Sequence, residues 1–113
     1  MLPRPHRLAR RSELTLVLRR GVPARAAGLL VKAYPTRRRF SRFAFTVSNR
    51  VAKRATIRNR LRRQLRESTR QLLPKLRRGY DVVVQVLPGR PVRTSADLTD
   101  GLKRCFSHLN LWL

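Results

Sequence analysis

The chain has 113 residues, enough for one domain with a modest core, and its 42% of hydrophobic residues exclude a purely disordered basic tail. Its 28 Lys and Arg residues against 5 Asp and Glu residues give a formal net charge of +23, which disfavours a compact state unless a polyanion neutralises it. Nucleic acid is the first candidate for that polyanion, and an anionic membrane surface is the second.

The cysteine content and the N-terminal segment bear on the compartment. The single cysteine, Cys105, cannot form an internal disulfide, and a zinc site would need more ligands. No segment approaches the ~20 apolar residues of a membrane span. Residues 1–11 carry charges without the apolar stretch of a signal peptide. We therefore expect a cytoplasmic protein with a single domain over residues 1–113, of which residues 1–11 form a basic arm.

The first half of the chain predicts one helix followed by strands. Ser12 is a candidate N-cap and Gly21 a candidate stop, so a short helix is predicted between them. Alternating apolar residues predict strands over residues 29–34 and 40–47, and a hairpin between these two strands is the simplest arrangement. A short additional strand is predicted over residues 22–25.

The second half predicts a helix, a strand and a final helix. The predicted segments are a helix over residues 55–73, a strand over 80–87, a loop over 88–91 and a helix over 95–109. An apolar row of Ile57, Leu61 and Leu65 supports the first of these, and the valines at 82–84 are typical of a strand covered on both faces. The order α-β-β-β-α-β-α predicts an α+β fold, with three helices on a small, mostly antiparallel sheet of about four strands.

Arginine dominates the polar side of the helix predicted over residues 55–73. Arginines recur every four residues and form one continuous row, which consists of Arg54, Arg58, Arg62, Arg66 and Arg70. Like charges at this spacing oppose helix formation by roughly 0.2–0.5 kcal/mol per pair, and Glu67 is the one local counter-charge. A charge run is usually a solvated face, but solvated helices normally mix signs. The row therefore favours phosphate binding. Asn59 is either a contact to a base edge or an exposed polar residue, and its position alone favours neither.

Residues 45–67 resemble the signature of the bacterial ribonuclease P protein component. That family carries Arg-Asn-Arg, then a basic pair, then Arg-Glu, and all three are present here as Arg58-Asn59-Arg60, Arg62-Arg63 and Arg66-Glu67. The basic arm, the helix ending at Gly21 and the strand beginning Tyr80-Asp81 extend the resemblance over nearly the whole chain.

The resemblance implies a fold, partners and a division of labour. The fold would be ribosomal-protein-S5-domain-2-like. The partners would be ribonuclease P RNA, at one protein per RNA, and precursor tRNA, with no membrane partner. The RNA subunit of this endoribonuclease would perform the phosphodiester hydrolysis with Mg²⁺ that it mainly holds itself. The protein would carry no catalytic residue and no metal site.

The resemblance also implies site residues, carried over position by position. The RNA-binding positions are Arg54, Arg58, Asn59, Arg60, Arg62, Arg63 and Arg66. The cleft for the 5′ leader of precursor tRNA has the positions Leu14, Leu18, Lys32, Tyr34 and Arg50. Family members often have Phe where Leu14 and Leu18 stand, and Leu cannot provide the ~1–3 kcal/mol of a base stacked on an aromatic ring. Basic residues are also common where Asn49 and Val86-Leu87 stand, so leader recognition is expected to be weaker or to rely more on Lys32, Tyr34 and Arg50.

The other ionisable residues do not form a catalytic constellation. His6 and His108 are far apart in sequence and have no partnered carboxylates. Asp81, Asp97 and Asp100 are too few and too scattered for a two-metal site. We expect Asp97 and Asp100 to cap the last helix and Asp81 to lie at the edge of a strand.

Three other classes of protein are alternatives. A ribosomal protein has the same charge and size, but the Arg-Asn-Arg signature argues against it. A sequence-specific DNA-binding protein would usually show a compact helix-turn-helix and often a dimer face, and neither is evident. A membrane-surface protein would need helices with a broader apolar face that contains Trp or Phe.

Overall fold

The computed structural model describes residues 2–89 and 94–113. The elements are α1 (Arg11–Arg20), β1 (Val22–Ala26), β2 (Leu29–Pro35), β3 (Arg42–Val47), α2 (Ala55–Leu72), β4 (Tyr80–Val86) and α3 (Ser95–His108), with 3₁₀ turns at Arg4–His6 and Leu73–Lys75. The predicted α+β class is confirmed, with three helices and four strands in the predicted order, including the short strand near residues 22–25. Part of the loop predicted over residues 88–91 lies outside the described residues.

The sheet has the strand order β1-β2-β4-β3, so the hairpin predicted between residues 29–34 and 40–47 is wrong. β4 lies between those two strands, antiparallel to β2 and parallel to β3. Its Val84 is paired with Val31 on one side and with Phe45 on the other. The valine-rich strand takes a central place because both of its faces are covered there. Alternation within a strand does not reveal which strand will be its neighbour.

β2 forms its hairpin with β1 instead. Ala26 is paired with Leu29, so two residues make the loop between the strands. These residues, Ala27 and Gly28, have φ angles of 50° and 79°. Positive φ at both positions is what a two-residue type I′ turn requires, and that turn matches the right-handed twist of the strands it joins.

The two faces of the sheet are covered unequally. α2 and α3 cover one face and bury the main core, in which Leu65, Val84 and Phe106 are completely buried. α1 and the N-terminal residues cover the other face over a smaller cluster around Leu8 and Val83. The main core therefore supplies most of the hydrophobic stabilisation, and the second face has room for a partner.

α1 leaves one end of the second face uncovered. Leu30, Gln85 and Thr46 are neighbours across β2, β4 and β3 in the strand register. Thr46 is exposed, and Leu30 and Gln85 are half-buried. We refer to these three residues as the open face.

An ion-pair network attaches α1 to the sheet. Arg42 of β3 donates to both carboxylate oxygens of Asp81 in β4, at 2.9 and 2.7 Å, and to Oε2 of Glu13 in α1 at 2.8 Å. Arg38 also donates to Glu13, at 2.9 Å. We call these four residues the Arg42 network. Asp81 is the second residue of β4, near the end of the strand as predicted, and it is 5% exposed there. It is tolerated there because Arg42 binds it bidentately.

The helix ends differ in part from the prediction. α1 begins at Arg11 and its N-cap, Arg10, makes no side-chain cap hydrogen bond, so the predicted Ser12 cap is wrong. Tertiary contacts set this start, because Glu13 in the first turn is bound by Arg42. Thr94 and Asp97 form a capping box at α3, as expected for Asp97. Asp100 does not cap α3 but pairs with Arg104, at 3.0 Å.

Glu13 makes the stability of the protein sensitive to acid. Hydrogen bonding by Arg42 holds the pKa of Glu13 below its usual value near 4.5. The stabilisation that the ionised Glu13 gives the fold is therefore complete above the pKa that Glu13 has in the unfolded chain. It is lost as the pH falls through the lower pKa that Glu13 has in the folded protein. Near neutral pH, urea unfolding should give a higher free energy of unfolding for the wild type than for Glu13→Gln. This difference should shrink steadily as the pH is lowered below about 5. A difference that stays constant over this range would contradict the assignment.

Candidate nucleic-acid interface

α2 separates its apolar side chains from its arginines. Leu61, Leu65 and Leu72 are buried against the core. The arginines from residue 54 to residue 66 lie outside this apolar side and differ in exposure. Arg54, Arg60, Arg63 and Arg66 are exposed, and Arg58 and Arg62 are half-buried. In the described ranges, no ion pair with a carboxylate is formed by any of these six arginines. The surface over residues 54–66, which we call the Arg helix surface, therefore keeps its full positive charge.

Arg58 is partly committed to the protein itself. Its Nη1 donates to the carbonyl oxygens of Ala52 at 2.9 Å and Lys53 at 2.7 Å. The second arginine of the predicted row thus joins the loop before α2 to the first turn of that helix. Arg60, which faces solvent, is the better placed of the two motif arginines to bind a phosphate.

Asn59 is held by a neighbouring arginine. Its Oδ1 accepts a hydrogen bond from Nη2 of Arg62. Asn59 remains exposed, so both residues stay at the surface as one oriented pair. The sequence motif brings them together because residues three apart are neighbours on a helix.

Arg66 is the last arginine of the row whose charge is not neutralised by a carboxylate in the described residues. Arg70, the next member, donates to Oε1 of Glu67 at 2.6 Å. This hydrogen bond holds the pKa of Glu67 well below its usual value, at about 2. The pair is overall neutral, so the cationic surface covers residues 54–66 and not the last turn of α2.

Two grooves follow β3 between the Arg helix surface and the other face of the sheet. The larger has a volume of about 630 Å³ and lies where β3 and β4 end, with Arg50, Arg62, Thr46 and Gln85 in its lining. The smaller, of about 400 Å³, includes Arg7, Leu14, Phe43 and Arg66. These grooves connect the arginines of α2 with the open face and with α1.

The predicted leader residues fall into two places. Leu14, Leu18 and Tyr34 are partly buried and pack against the small cluster between α1 and the sheet. Lys32 lies at the end of α1, where its Nζ donates to the carbonyl oxygen of Leu18 at 2.8 Å. Arg50 lies apart from these four, in the larger groove beside Arg62.

The open face was not predicted as part of the site. Gln85 and Thr46 form its floor, between α1 and the loop that carries Arg50. Gln85 was detectable in principle, because it interrupts an otherwise apolar run from Val82 to Val86. Thr46 had no such signal, because a threonine on an alternating strand is ordinary.

The donor set of the protein does not fit a resident Mg²⁺ site. Glu13, Glu67, Asp81 and Asp100 are each bound by arginine, and Asp97 is used in a helix cap. In residues 2–89 and 94–113, no group of three metal-ligating side chains occurs. No helix in these ranges is long and apolar enough to cross a membrane.

Cys105 is a buried packing residue. It is fully buried in the main core, and burial raises the pKa of its thiol to about 11. A thiol with a raised pKa and no access to solvent is a poor nucleophile and a poor metal ligand. Cys105 therefore has a structural role in the main core.

Comparison with known proteins identifies the family. A sequence model described as Ribonuclease P matches residues 2–110. The ribonuclease P protein component of Cyanothece sp. is 36% identical over 104 residues, which cover 78% of this chain and 79% of that protein. That of Rhodococcus opacus is 36% identical over 118 aligned residues, which cover 98% of this chain and 94% of that protein.

Solved structures show the same fold. The Staphylococcus aureus RNase P protein has a TM-score of 0.86 at 15% identity, over 96% of this chain and 98% of that one. The RNase P protein from Thermotoga maritima has a TM-score of 0.75 at 23% identity, over 87% of this chain and 92% of that one. These likenesses concern the fold, whereas the family model and the relatives in sequence decide membership. The chain therefore belongs to the ribonuclease P protein component family, whose members are subunits of an endoribonuclease.

Proposed function

We propose that the protein binds the catalytic RNA of ribonuclease P and the 5′ leader of precursor tRNA, and so promotes endonucleolytic removal of the leader. One protein would bind one RNA. The RNA subunit would carry out the hydrolysis and hold most of the Mg²⁺. That division agrees with a protein whose five carboxylates are all bound by its own side chains or backbone.

The observation that carries the proposal is the unpaired charge of the Arg helix surface. Arg54, Arg60, Arg63 and Arg66 are exposed without a carboxylate partner in the described part of the chain. A helix stabilised only by its own contacts would gain from mixed charges along such a row. Phosphates of a folded RNA supply the missing negative charge, and binding them releases counterions from the RNA.

The open face supplies a place for the leader. It is bordered by α1 on one side and by Arg50 on the other, and the larger groove connects it to Arg62. A single strand held there would lie next to the RNA docked on α2. The gain would be substrate positioning, and the arginines would reduce the repulsion between two RNAs, which lowers the Mg²⁺ concentration needed.

Cleavage of a precursor tRNA at low Mg²⁺ tests this function. A bacterial ribonuclease P RNA is assayed with and without the protein, and the protein is assayed alone. We expect the protein to restore removal of the 5′ leader and to be inactive by itself. Binding to the RNA without any change in cleavage would contradict the proposal and would favour a purely architectural role such as that of a ribosomal protein.

Arg50 is expected to act on the leader. In the assembled enzyme, Arg50→Gln should raise the dissociation constant of precursor tRNA about fivefold and reduce the salt slope of binding by about 1, because one phosphate contact is lost. The dissociation constant of mature tRNA should stay the same, since it has no leader. Lys103→Gln, at an exposed position on α3, is the matched control. Equal losses for precursor and mature tRNA would place Arg50 outside the leader site.

A further inference from the structure

A second basic surface lies at the end of the sheet where β3 and β4 begin. We call it the Phe40 surface, and it consists of Arg4, His6, Arg39, Phe40, Arg77 and Arg78. All seven Phe, Tyr and Trp residues of the chain lie in the described ranges, and Phe40 is the one among them that is exposed, at 43%. The proposed contacts of the Arg helix surface and of the open face do not use it.

Ser41 fixes the backbone of this surface. Its side chain is buried, and its Oγ donates to the carbonyl oxygen of Arg77 at 2.7 Å and accepts from the N–H of Tyr80 at 3.1 Å. Its carbonyl oxygen accepts from Nδ1 of His6 at 2.8 Å. One residue therefore joins the N-terminal arm, the loop before β3 and the start of β4. Phe40, the preceding residue, is held on an ordered backbone.

The ring of Phe40 is only partly covered. His6 packs against it in a T-shaped contact, with 5.2 Å between ring centroids and an angle of 74° between the planes. The rest of the ring faces water in a protein that buries Phe43, Phe45 and Phe106. An exposed apolar residue alone is ordinary. An exposed aromatic ring among unpaired cations is the combination that binds unpaired nucleotides, because bases stack on rings while phosphates bind cations.

The segments that Ser41 joins carry exposed arginines. Arg4, Arg39 and Arg78 are exposed, and within residues 2–89 and 94–113 none of them pairs with a carboxylate. Arg77 uses its Nε to donate to the carbonyl oxygen of Trp112, at 3.0 Å, which holds its guanidinium group near the surface.

The position of the Phe40 surface favours the RNA subunit over the leader. β3 begins two residues after Phe40 and ends near Arg50, and its outer edge is followed by the groove that contains Arg7 and Arg66. A strand bound on the Arg helix surface can therefore continue along this edge. The open face lies at the opposite end of the sheet, and α1, bound by the Arg42 network, stands between the two.

We propose that the Phe40 surface is a second contact for the ribonuclease P RNA, in which an unpaired base stacks on Phe40 and the adjacent phosphates bind Arg39, Arg4 and Arg78. The inference rests on the proposed function, since it assigns a further contact to the same RNA. It predicts that the RNA subunit spans the outer edge of β3 from the Arg helix surface to the Phe40 surface.

The test compares dissociation constants for a bacterial ribonuclease P RNA at fixed ionic strength. Phe40→Ala and Phe40→Leu should each weaken binding about tenfold, and Phe40→Trp should retain it, because only an aromatic ring stacks on a base. Leu16→Ala is the matched control, because Leu16 is 40% exposed beside Arg19 and Arg20 in α1. The salt slope should be unchanged in the Phe40 variants and smaller by about 1 in Arg39→Gln.

The outcomes separate this inference from the proposed function. If the wild type binds the RNA and Arg60→Ala weakens it, but Phe40→Leu binds as the wild type does, the second contact is wrong and the function stands. A loss confined to precursor tRNA would overturn the assignment to the RNA subunit. If the wild type does not bind the RNA, the proposed function itself fails. Urea unfolding of each variant checks that Phe40→Leu, which keeps an apolar side chain, remains folded.

Discussion

Replacement of both Arg60 and Arg63 by alanine should weaken binding to ribonuclease P RNA about 100-fold. Both side chains are exposed on α2 and make no ion pair within the described residues, so their loss removes contacts to the RNA rather than contacts within the protein. If the interface neutralises about six phosphates, the logarithm of the affinity should fall against that of the salt concentration with a slope of about −4 to −5. The double variant should bring this slope about 2 units closer to zero.

The control for this prediction removes two exposed cations elsewhere. Lys103 and Arg104 are exposed on α3, outside the Arg helix surface, and their replacement by alanine removes the same nominal charge. We expect a much smaller loss of affinity and unchanged unfolding of both double variants in urea. Equal losses for the two pairs would mean that net charge alone, and not the placement of arginines on α2, governs binding.

Replacement of Arg42 by methionine should cost roughly 3 kcal/mol of the free energy of unfolding. The side chains of Arg42 and Asp81 are 14% and 7% exposed, so the variant leaves the Asp81 carboxylate buried without its bidentate partner. Loss of one member of a buried ion pair typically costs about 3–5 kcal/mol, and we expect the lower end because Arg42 keeps some contact with water. Urea unfolding near neutral pH measures the loss.

A second substitution distinguishes the buried charge from simple loss of packing. In the Arg42→Met background, Asp81→Asn removes the uncompensated charge, so it should recover part of the lost stability. The same substitution in the wild type should be destabilising, because it breaks the ion pair. A loss below about 1 kcal/mol for Arg42→Met would show that the network behaves as an exposed ion pair. Arg42→Met should also loosen α1 and so weaken leader binding more than RNA-subunit binding.

The Arg helix surface was largely predictable because its signal is local. Arginines every four residues form a row on any helix, and the apolar row of Leu61 and Leu65 decides which side faces the core. The roles within the row were not predictable. Only the folded chain shows that Arg58 binds the carbonyl oxygens of Ala52 and Lys53, and that Glu67 neutralises Arg70.

The surfaces on the other face of the sheet depended on contacts between residues distant in sequence. Thr46 and Gln85 lie side by side because β3 pairs in parallel with β4. The buried Ser41 hydrogen-bonds to His6, which is 35 positions before it, and to Arg77, which is 36 positions after it. Neither arrangement leaves a periodic pattern in the chain, because each depends on which strands become neighbours.

The sequence by itself determined the kinds of element, the approximate bounds of the helices and strands, and the positive surface of α2, because hydrophobic periodicity and charge spacing act over a few residues. Only the tertiary structure decided the strand order, the burial of Asp81 against Arg42, and the division of the second face between α1 and the open face. Those features depend on competition among strands and helices for the same apolar surface, with β4 at the centre because it has the most to bury.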